Sequence, residues 1–219
     1  MKKTKQLNSL FEKWESSNKD YTGRFIRDGI IDESIFEAPG NKKLLIIAKE
    51  PNYQDDGSWD FRDWWKTKLQ FSFSIRLAEW AYGIENNFPI YSKIQDNQDE
   101  QLKAIHKMAF MNIKKIGGNG TSDQDKLMDF AIRDHGFIRK QIEIIEPEII
   151  VLCLSWGKLE DSLFPEIKTE WKDCGYDIFV ASYKGVKYIS FYHPSARNAP
   201  AAAYSLLQNV VRSEVFRSL

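Results

Sequence analysis

Two short segments of this 219-residue chain place ionisable side chains directly after apolar runs. The first segment reads KLLIIAKEPN over residues 43–52, and the second reads KYISFYHPSARN over residues 187–198. In an α/β protein, a buried strand that ends in a polar cluster delivers its side chains to a cleft at the carboxyl end of the sheet. The side chains delivered here are Glu50 and His193. A carboxylate and an imidazole in one cleft can perform acid–base or electrostatic chemistry on a bound ligand.

Three ordered motifs in the chain resemble those of the uracil-DNA glycosylase superfamily. Its members carry one strand that ends in a motif such as GQDPY, GEAPG or GMNPG, and a late strand that ends in HPS. When the chain is aligned on Pro51, the sequence AKEPN stands at the first motif, and HPS is present at residues 193–195. A third piece, FMNIKK at residues 110–115, resembles the central strand end whose asparagine reads a base edge. The resemblance spans roughly residues 40–215 and indicates a divergent member.

The resemblance implies a chemical role for one residue of each motif. Glu50 stands where some members carry a water-activating Asp or an Asn, so it would orient or deprotonate a water near the sugar C1′. His193 would donate a hydrogen bond to the carbonyl oxygen of the departing base, where negative charge accumulates. Asn112 would present both a donor and an acceptor to the edge of the base.

Other residues near these motifs are candidates for contact with a nucleobase or with DNA. A flipped base requires an aromatic platform, for which the candidates are Tyr53, Trp59, Phe71 and Phe73. The sequence FSFS at residues 71–74 resembles the stretch that carries the stacking phenylalanine in other members. In the resemblance, Arg197 takes the place of a leucine that wedges into the vacated base stack. The candidates for contact with the nucleic-acid backbone are Ser195, Arg197, Lys114 and Lys115.

Each of these residues also has an alternative structural interpretation. Glu50 could end a strand and pair with Lys49 or with a loop cation. His193 could cap the last helix, and Asn112 could be a turn residue that satisfies loop amides. The aromatic candidates could belong to the hydrophobic core, and the two lysines could belong to a solvated charged loop.

The composition limits the class of protein. Hydrophobic residues make up 42% of the chain and charged residues 28%, which is ordinary for a globular domain with a well-buried core. The formal net charge is zero, which argues against tight non-specific binding to DNA. Cys153 and Cys174 make neither a disulfide framework nor a zinc motif, and an iron–sulfur cluster would require four cysteine ligands. We therefore expect no metal, no iron–sulfur cluster and no other cofactor.

Hydropathy gives an expectation for the location of the protein. The chain contains no run of eighteen apolar residues, which a membrane-spanning helix would need. Its amino terminus lacks the apolar region of a signal peptide. We therefore expect no membrane span and a cytoplasmic location.

The elements that would position the candidate residues alternate between strands and helices. Strands are predicted at residues 43–48, 108–113, 148–154, 177–181 and 187–192. Helices are predicted at residues 7–18, 73–82, 101–108, 123–145 and 199–219, with a short helix ending near residue 163. The alternation predicts a three-layer α/β/α sandwich around a central, mainly parallel sheet of four to five strands, and the resemblance implies the same fold.

The whole chain, residues 1–219, is predicted to form a single domain. Residues 1–40 would be an amino-terminal extension made of a helix and a loop, and residues 85–100 would be a surface insertion. The sequence GGNG at residues 117–120 lacks the features of a phosphate-binding loop and is predicted to be flexible.

These observations leave several functions open. The first is a DNA glycosylase that hydrolyses the N-glycosidic bond of uracil or of another damaged base. The second is a catalytically inert module of the same fold that binds a nucleobase, a nucleotide or single-stranded nucleic acid. A small-molecule hydrolase on a flavodoxin-like sheet is a third, but the chain has no G-x-S-x-G motif. The geometric test of a base-binding site is whether Glu50, Asn112 and His193 converge on one pocket beside an aromatic face.

Overall fold

A computed structural model of the chain describes residues 2–53 and 57–219. It shows a mixed α/β protein with a seven-stranded central sheet. The strands, in chain order, are β1 (Ile26–Arg27), β2 (Gly29–Ile30), β3 (Leu44–Ala48), β4 (Trp59–Asp60), β5 (Met108–Asn112), β6 (Ile149–Leu152), β7 (Lys172–Asp173), β8 (Phe179–Tyr183) and β9 (Val186–Ser190).

The strand order of the central sheet is β2-β5-β3-β6-β9-β8-β7. The four adjacent strands β5, β3, β6 and β9 run parallel, whereas β2, β8 and β7 pair in the antiparallel sense at the two sides. The five strands of four or more residues agree with the expected four to five strands. The two-residue strands β2 and β7 extend the sheet to seven. Two further short strands, β1 and β4, form a separate parallel pair.

The helices pack on both faces of this sheet. They are α1 (Lys3–Ser16), α2 (Glu33–Phe36), α3 (Phe61–Trp64), α4 (Ser72–Glu85), α5 (Gln98–His106), α6 (Gln124–Arg133), α7 (His135–Ile145), α8 (Gly157–Leu163), α9 (Pro200–Arg212) and α10 (Glu214–Arg217). Short 3₁₀ helices occupy Lys19–Tyr21, Tyr91–Lys93 and Pro165–Ile167.

Strand β3 shows why two hydrophobic cores form. All five of its residues are buried, since alternate side chains point to opposite faces of a sheet that is covered on both sides. Ile46 belongs to a core with α3, α4, α5, α9 and α10, whereas Ile47 belongs to a core with α1, α6, α7 and α8. This arrangement is compatible with a three-layer α/β/α sandwich.

Two predicted helices are each divided in the structure. The helix expected at residues 123–145 is interrupted at Asp134, whose backbone leaves the helical region and whose carboxylate bonds Tyr21 and Arg133. The helix expected at residues 199–219 is interrupted at Ser213, which is extended and accepts the N–H of Phe216 with its hydroxyl. At Ser213 a side chain that bonds the nearby backbone competes with the continuing helix, whereas Asp134 bonds Tyr21, 113 residues away in the chain.

The remaining regions contain more regular structure than the pattern predicted. Strands β1 and β2 lie within residues 1–40, and β2 joins the central sheet. Within residues 85–100, Phe88 and Ile94 are buried in one of the cores. None of the described helices is both long and apolar enough to cross a membrane.

Candidate functional site

The register of the parallel strands brings the sequence motifs to one edge of the sheet. Ala48 of β3 pairs with Asn112 of β5, so Glu50 emerges two residues beyond the level of Asn112. Strand β6 lies between β3 and β9, and its last residue, Leu152, pairs with Ser190, three residues before His193. The carboxyl ends of the parallel strands β3, β5 and β9 therefore deliver Glu50, Asn112 and His193 to the same side of the fold.

These three side chains line one cavity of about 500 Å³. The other residues that line it are mainly aromatic and small polar side chains: Pro51, Asn52, Tyr53, Trp59, Phe61, Trp64, Trp65, Phe71, Ser72, Phe73, Ser74 and Ser195. A concave, mostly apolar site with a few polar groups is typical of small-molecule binding. Glu50, Asn112 and His193 thus converge on one cavity beside an aromatic wall.

Asn112 lies in the floor of the cavity with only 1% of its surface exposed. Its backbone N–H donates to the carboxylate of Asp28 at 2.8 Å. Neither the oxygen nor the nitrogen of its side-chain amide has a hydrogen-bond partner among the described residues. Within residues 2–53 and 57–219, the amide therefore bonds no loop amide, unlike in the alternative interpretation. Because a buried, unpaired amide costs stability, its position in a cavity points to a polar ligand.

His193 carries an imidazole held in one tautomer. The backbone N–H of Ser195 donates to Nδ1 at 3.2 Å, so the proton of the neutral ring lies on Nε2. Burial, with a further contribution from the Lys49 ammonium, lowers the pKa of His193 to about 4. The ring is therefore neutral near pH 7 and can donate from Nε2. It does not cap α9, because the N-cap position of that helix is Ala199 and no side-chain hydrogen bond caps it.

Glu50 forms an ion pair with Lys114, whose Nζ lies 2.5 Å from Oε2. Both side chains are largely buried, with 7% of Glu50 and 11% of Lys114 exposed. The structure thus contains the loop cation that the alternative interpretation of Glu50 proposed. Glu50 also lines the cavity, and the Lys114 ammonium holds its carboxylate in position.

The GGNG loop packs closely against the first motif. A Cβ atom on Gly118 would lie 2.2 Å from Oε2 of Glu50, and one on Gly117 would lie 1.9 Å from the carbonyl oxygen of Tyr53. The N–H of Gly118 also donates to the carbonyl of Pro51 at 2.9 Å. At these two positions the loop is anchored by the motif, and glycine is required because a side chain would displace it.

The four aromatic residues that were candidates for a stacking platform all line the cavity. Phe73 lies beside the His193 ring, with 5.7 Å between the ring centroids and 35° between the planes. Phe71 is at the rim with 55% of its surface exposed, and its ring meets Trp64 edge-on at 5.3 Å. Tyr53 meets Trp59 edge-on at 5.7 Å. Phe73 is therefore the candidate whose ring adjoins the His193 imidazole, and the other rings extend the apolar wall.

The residues expected to contact the nucleic-acid backbone are placed very differently from one another. Lys115 is completely buried and pairs with Asp28, which corrects the prediction that it grips a phosphate. Lys114 is nearly buried and directed at Glu50. Ser195 is exposed and lines the cavity. Arg197 is exposed but is not among the residues that line it.

Sequence reasoning missed several residues that shape the site. Asp28 binds the backbone of Asn112 from 84 positions away in the chain, a separation that no local motif reveals. Ser72 and Ser74, in the first turn of α4, line the cavity, and their neighbours in the FSFS stretch were the only signal. Within the described ranges, no group of three or more His, Cys, Asp or Glu side chains is arranged to hold a metal ion.

Comparison with known proteins gives one partial similarity. The chain is similar to 7-carboxy-7-deazaguanine synthase of Leptospira interrogans serogroup Icterohaemorrhagiae serovar Lai (strain 56601), with 27% identity over 116 residues. The match covers 45% of this chain and 49% of that protein, so the chain spans about half the length of the curated relative. No protein-family model matches the chain, and no solved structure matches it significantly.

Proposed function

We propose that the chain is a nucleobase-binding protein of the uracil-DNA glycosylase type that hydrolyses the N-glycosidic bond of uracil or another damaged base flipped into the cavity. One observation carries this proposal: the unpaired amide of Asn112 lies in the same cavity as the Glu50 carboxylate and the adjoining rings of Phe73 and His193. The proposal extends to the fold, which we infer to be the α/β/α sandwich of that superfamily.

The cavity offers the contacts that a planar heterocycle requires. The face of Phe73 supplies a stacking surface, and stacking on an aromatic side chain contributes about 1–3 kcal/mol per base. The Asn112 amide can donate to one atom of the base edge and accept from its neighbour, as a Watson–Crick edge requires. A base would therefore satisfy both unpaired atoms of Asn112 together.

Glu50 and His193 are proposed to act on opposite ends of the bond that breaks. Glu50 takes a proton from a water molecule as the water oxygen bonds to C1′ of the sugar. The electron pair of the C1′–N bond passes to the base, and the resulting charge is shared with a carbonyl oxygen. The Nε2–H of neutral His193 donates a hydrogen bond to that oxygen, and the base later takes a proton from solvent.

A binding module without catalysis is the second candidate. The ion pair with Lys114 favours it, because the ammonium already occupies one of the carboxylate oxygens that a general base would offer to water. The cavity also has no lysine or arginine among the described residues that line it, so a polyanionic strand finds little attraction there. A free base or nucleoside would suit such a cavity.

An excision assay separates the two candidates. Oligonucleotides bearing uracil, hypoxanthine or xanthine, single- and double-stranded, are incubated with the wild type and with the Glu50→Gln and His193→Ala variants. The Glu143→Gln and His135→Ala variants, with substitutions outside the cavity, are the matched controls. Abasic sites formed by the wild type and by both controls, but not by the two cavity variants, are the result expected of a glycosylase.

Binding of the free bases is measured on the same proteins by calorimetry. Binding of a base without any excision would replace the first candidate with the second. Neither binding nor excision by the folded wild type would reject both.

A further inference from the structure

A buried carboxylate behind the cavity joins three parts of the fold. Asp28 is fully buried, and Oδ2 accepts the backbone N–H of Asn112 at 2.8 Å. Lys115 Nζ lies 2.7 Å from both carboxylate oxygens, and Gln141 Nε2 donates to Oδ1 at 2.7 Å. The end of β5, the loop that follows it and helix α7 are therefore fixed to one side chain.

The position of Asp28 in the topology explains this role. It lies between β1, which pairs with the strand carrying Trp59, and β2, which pairs with β5. Gly29, the first residue of β2, lies opposite Phe110 of the antiparallel strand β5. The backbone pairing of β2 with β5 therefore stops two residues short of Asn112. The side chain of Asp28 takes the N–H of Asn112 that a longer edge strand would have paired with a backbone carbonyl.

The neighbouring glycine makes this geometry possible. Gly29 has a φ of 119°, which side chains rarely adopt, and a Cβ atom there would approach Leu7 Cδ1 to 3.0 Å. The chain can therefore turn away from β5 at Gly29 while the carboxylate of the preceding residue still faces the strand.

We propose that Asp28 is a positioning residue that sets the backbone at Asn112 and thereby aims the amide of Asn112 into the cavity. The inference rests on the proposed function, because it assumes that Asn112 binds the ligand. Asp28 itself stays behind the cavity wall and is not among the residues that line it. Its effect on binding comes through the orientation of its neighbour, as with groups that support a binding site from behind.

Two double variants remove the buried charges together, so that no uncompensated ion remains. Asp28→Leu with Lys115→Met removes the acceptor of the Asn112 N–H. Asp28→Asn with Lys115→Met keeps an amide oxygen that can accept it, and Gln141 can present its unpaired Oε1 to the new amide nitrogen. Both double variants lack the ion pair between Asp28 and Lys115. They differ in whether residue 28 can accept the N–H of Asn112.

Affinity for free uracil and hypoxanthine is measured by calorimetry alongside the thermal midpoint. The leucine variant is expected to lose about tenfold in affinity and the asparagine variant less than about threefold, since only the former leaves the N–H unpaired. Equal, wild-type affinity in both folded variants would overturn the proposal. Absence of binding by the wild type would instead reject the proposed function.

Hydrogen exchange tests the positioning without any ligand. The backbone N–H of Asn112 is expected to exchange its hydrogen at least about tenfold faster in the leucine variant than in the asparagine variant. Equal rates would overturn the inference even if no base binds. Should the leucine variant not fold, Gln141→Leu leaves the ion pair intact and removes one hydrogen bond to Asp28. Faster exchange at Asn112 and weaker base binding are then expected, and no change in either would overturn the inference.

Discussion

The carboxylate of Glu50, a residue that lines the cavity, forms an ion pair 2.5 Å long with the ammonium of Lys114. Lys114 follows β5 and Glu50 follows β3, so the pair ties together the ends of two adjacent parallel strands. The ammonium also lies over the ring of Phe130 at 5.3 Å and donates to the carbonyl of Gly117. The pair thus positions Glu50 in the cavity and joins it to the loop on which it packs.

Substitutions in this ion pair should separate its structural role from its chemical one. Glu50→Gln leaves a nearly buried ammonium without its partner, so we expect a loss of about 2–3 kcal/mol in the free energy of unfolding. Adding Lys114→Met should restore most of that loss. If Glu50 is the general base, excision falls by about 10²–10⁴-fold in both variants. Chemical denaturation and single-turnover excision rates are the measurements.

The controls for this experiment are Lys114→Met alone and the exposed pair of Lys140 and Glu143. Removing the exposed pair should change stability by less than about 0.5 kcal/mol. A double variant as unstable as Glu50→Gln alone would contradict the assignment of the ion pair as the source of the loss.

Asn112→Leu should weaken binding without weakening the fold. The side-chain amide is buried and has no hydrogen-bond partner among the residues that the structure describes, so replacing it with an apolar group of similar size is expected to raise the free energy of unfolding by about 1 kcal/mol. The same change removes the groups proposed to read the base, and affinity for uracil or hypoxanthine should fall at least about tenfold.

For Asn112→Leu, calorimetry measures the affinity for the base, and urea denaturation measures the free energy of unfolding. The matched control is Asn86→Leu, at the exposed end of α4, which should leave base affinity unchanged. A large loss of stability in Asn112→Leu would show that the amide has a structural partner after all.

His193 should make the fold sensitive to mild acid. Burial lowers its pKa from 6.5 to about 4, so the folded state resists the proton that the unfolded chain accepts. Its contribution is fully present above pH 6.5 and is lost as the pH falls towards 4. Between these two pH values we expect His193 to lower the free energy of unfolding by about 2 kcal/mol, after allowance for its partial exposure.

The His193→Gln variant should lose less stability than the wild type between these two pH values. His135→Gln, at the start of α7, should follow the wild type. Denaturation curves at several pH values measure the difference. Parallel curves for the wild type and His193→Gln would mean that the imidazole is not held neutral by burial.

Gly118→Ala should displace Glu50 from the cavity wall. The new methyl group would lie 2.2 Å from the Glu50 carboxylate, a distance that forces one of the two to move. Overpacking of this kind costs about 2 kcal/mol, and we expect base binding to weaken as well. Gly120→Ala, which meets no atom within 4 Å, is the matched control. Equal stability of the two variants would be inconsistent with the close packing of Gly118.

Much of the central sheet could be predicted because its strands are short apolar runs bounded by polar residues. The runs that became β3, β5 and β6 are buried on both faces, and continuous apolar sequence is the signature of such strands. The interruptions at Asp134 and Ser213 could not be predicted. Asp134 bonds Tyr21, which only the folded chain brings near. Ser213 accepts the nearby N–H of Phe216 within a helical pattern that is otherwise intact.

The candidate site was predictable where it follows the ends of strands. Glu50, Asn112 and His193 each follow an apolar run, and the parallel order of those runs brings them to one edge. Lys115 shows the limit of this reasoning, because its neighbour Lys114 pairs with Glu50, which lines the cavity, whereas Lys115 is fully buried and pairs with Asp28. Adjacent residues in an extended segment face opposite sides, and only the surroundings decide which side holds a partner.

The amino-acid sequence by itself determined which residue types stand at the strand ends and which runs are apolar enough to form a sheet. These properties are local, because they depend on side-chain chemistry and on spacing along the chain. The tertiary structure alone decided that Glu50 pairs with Lys114, that the Asn112 side chain has no partner in the described part of the chain, and that Asp28 holds the Asn112 backbone. Those outcomes depend on contacts between residues far apart in the chain, which form only when packing brings the strand ends together.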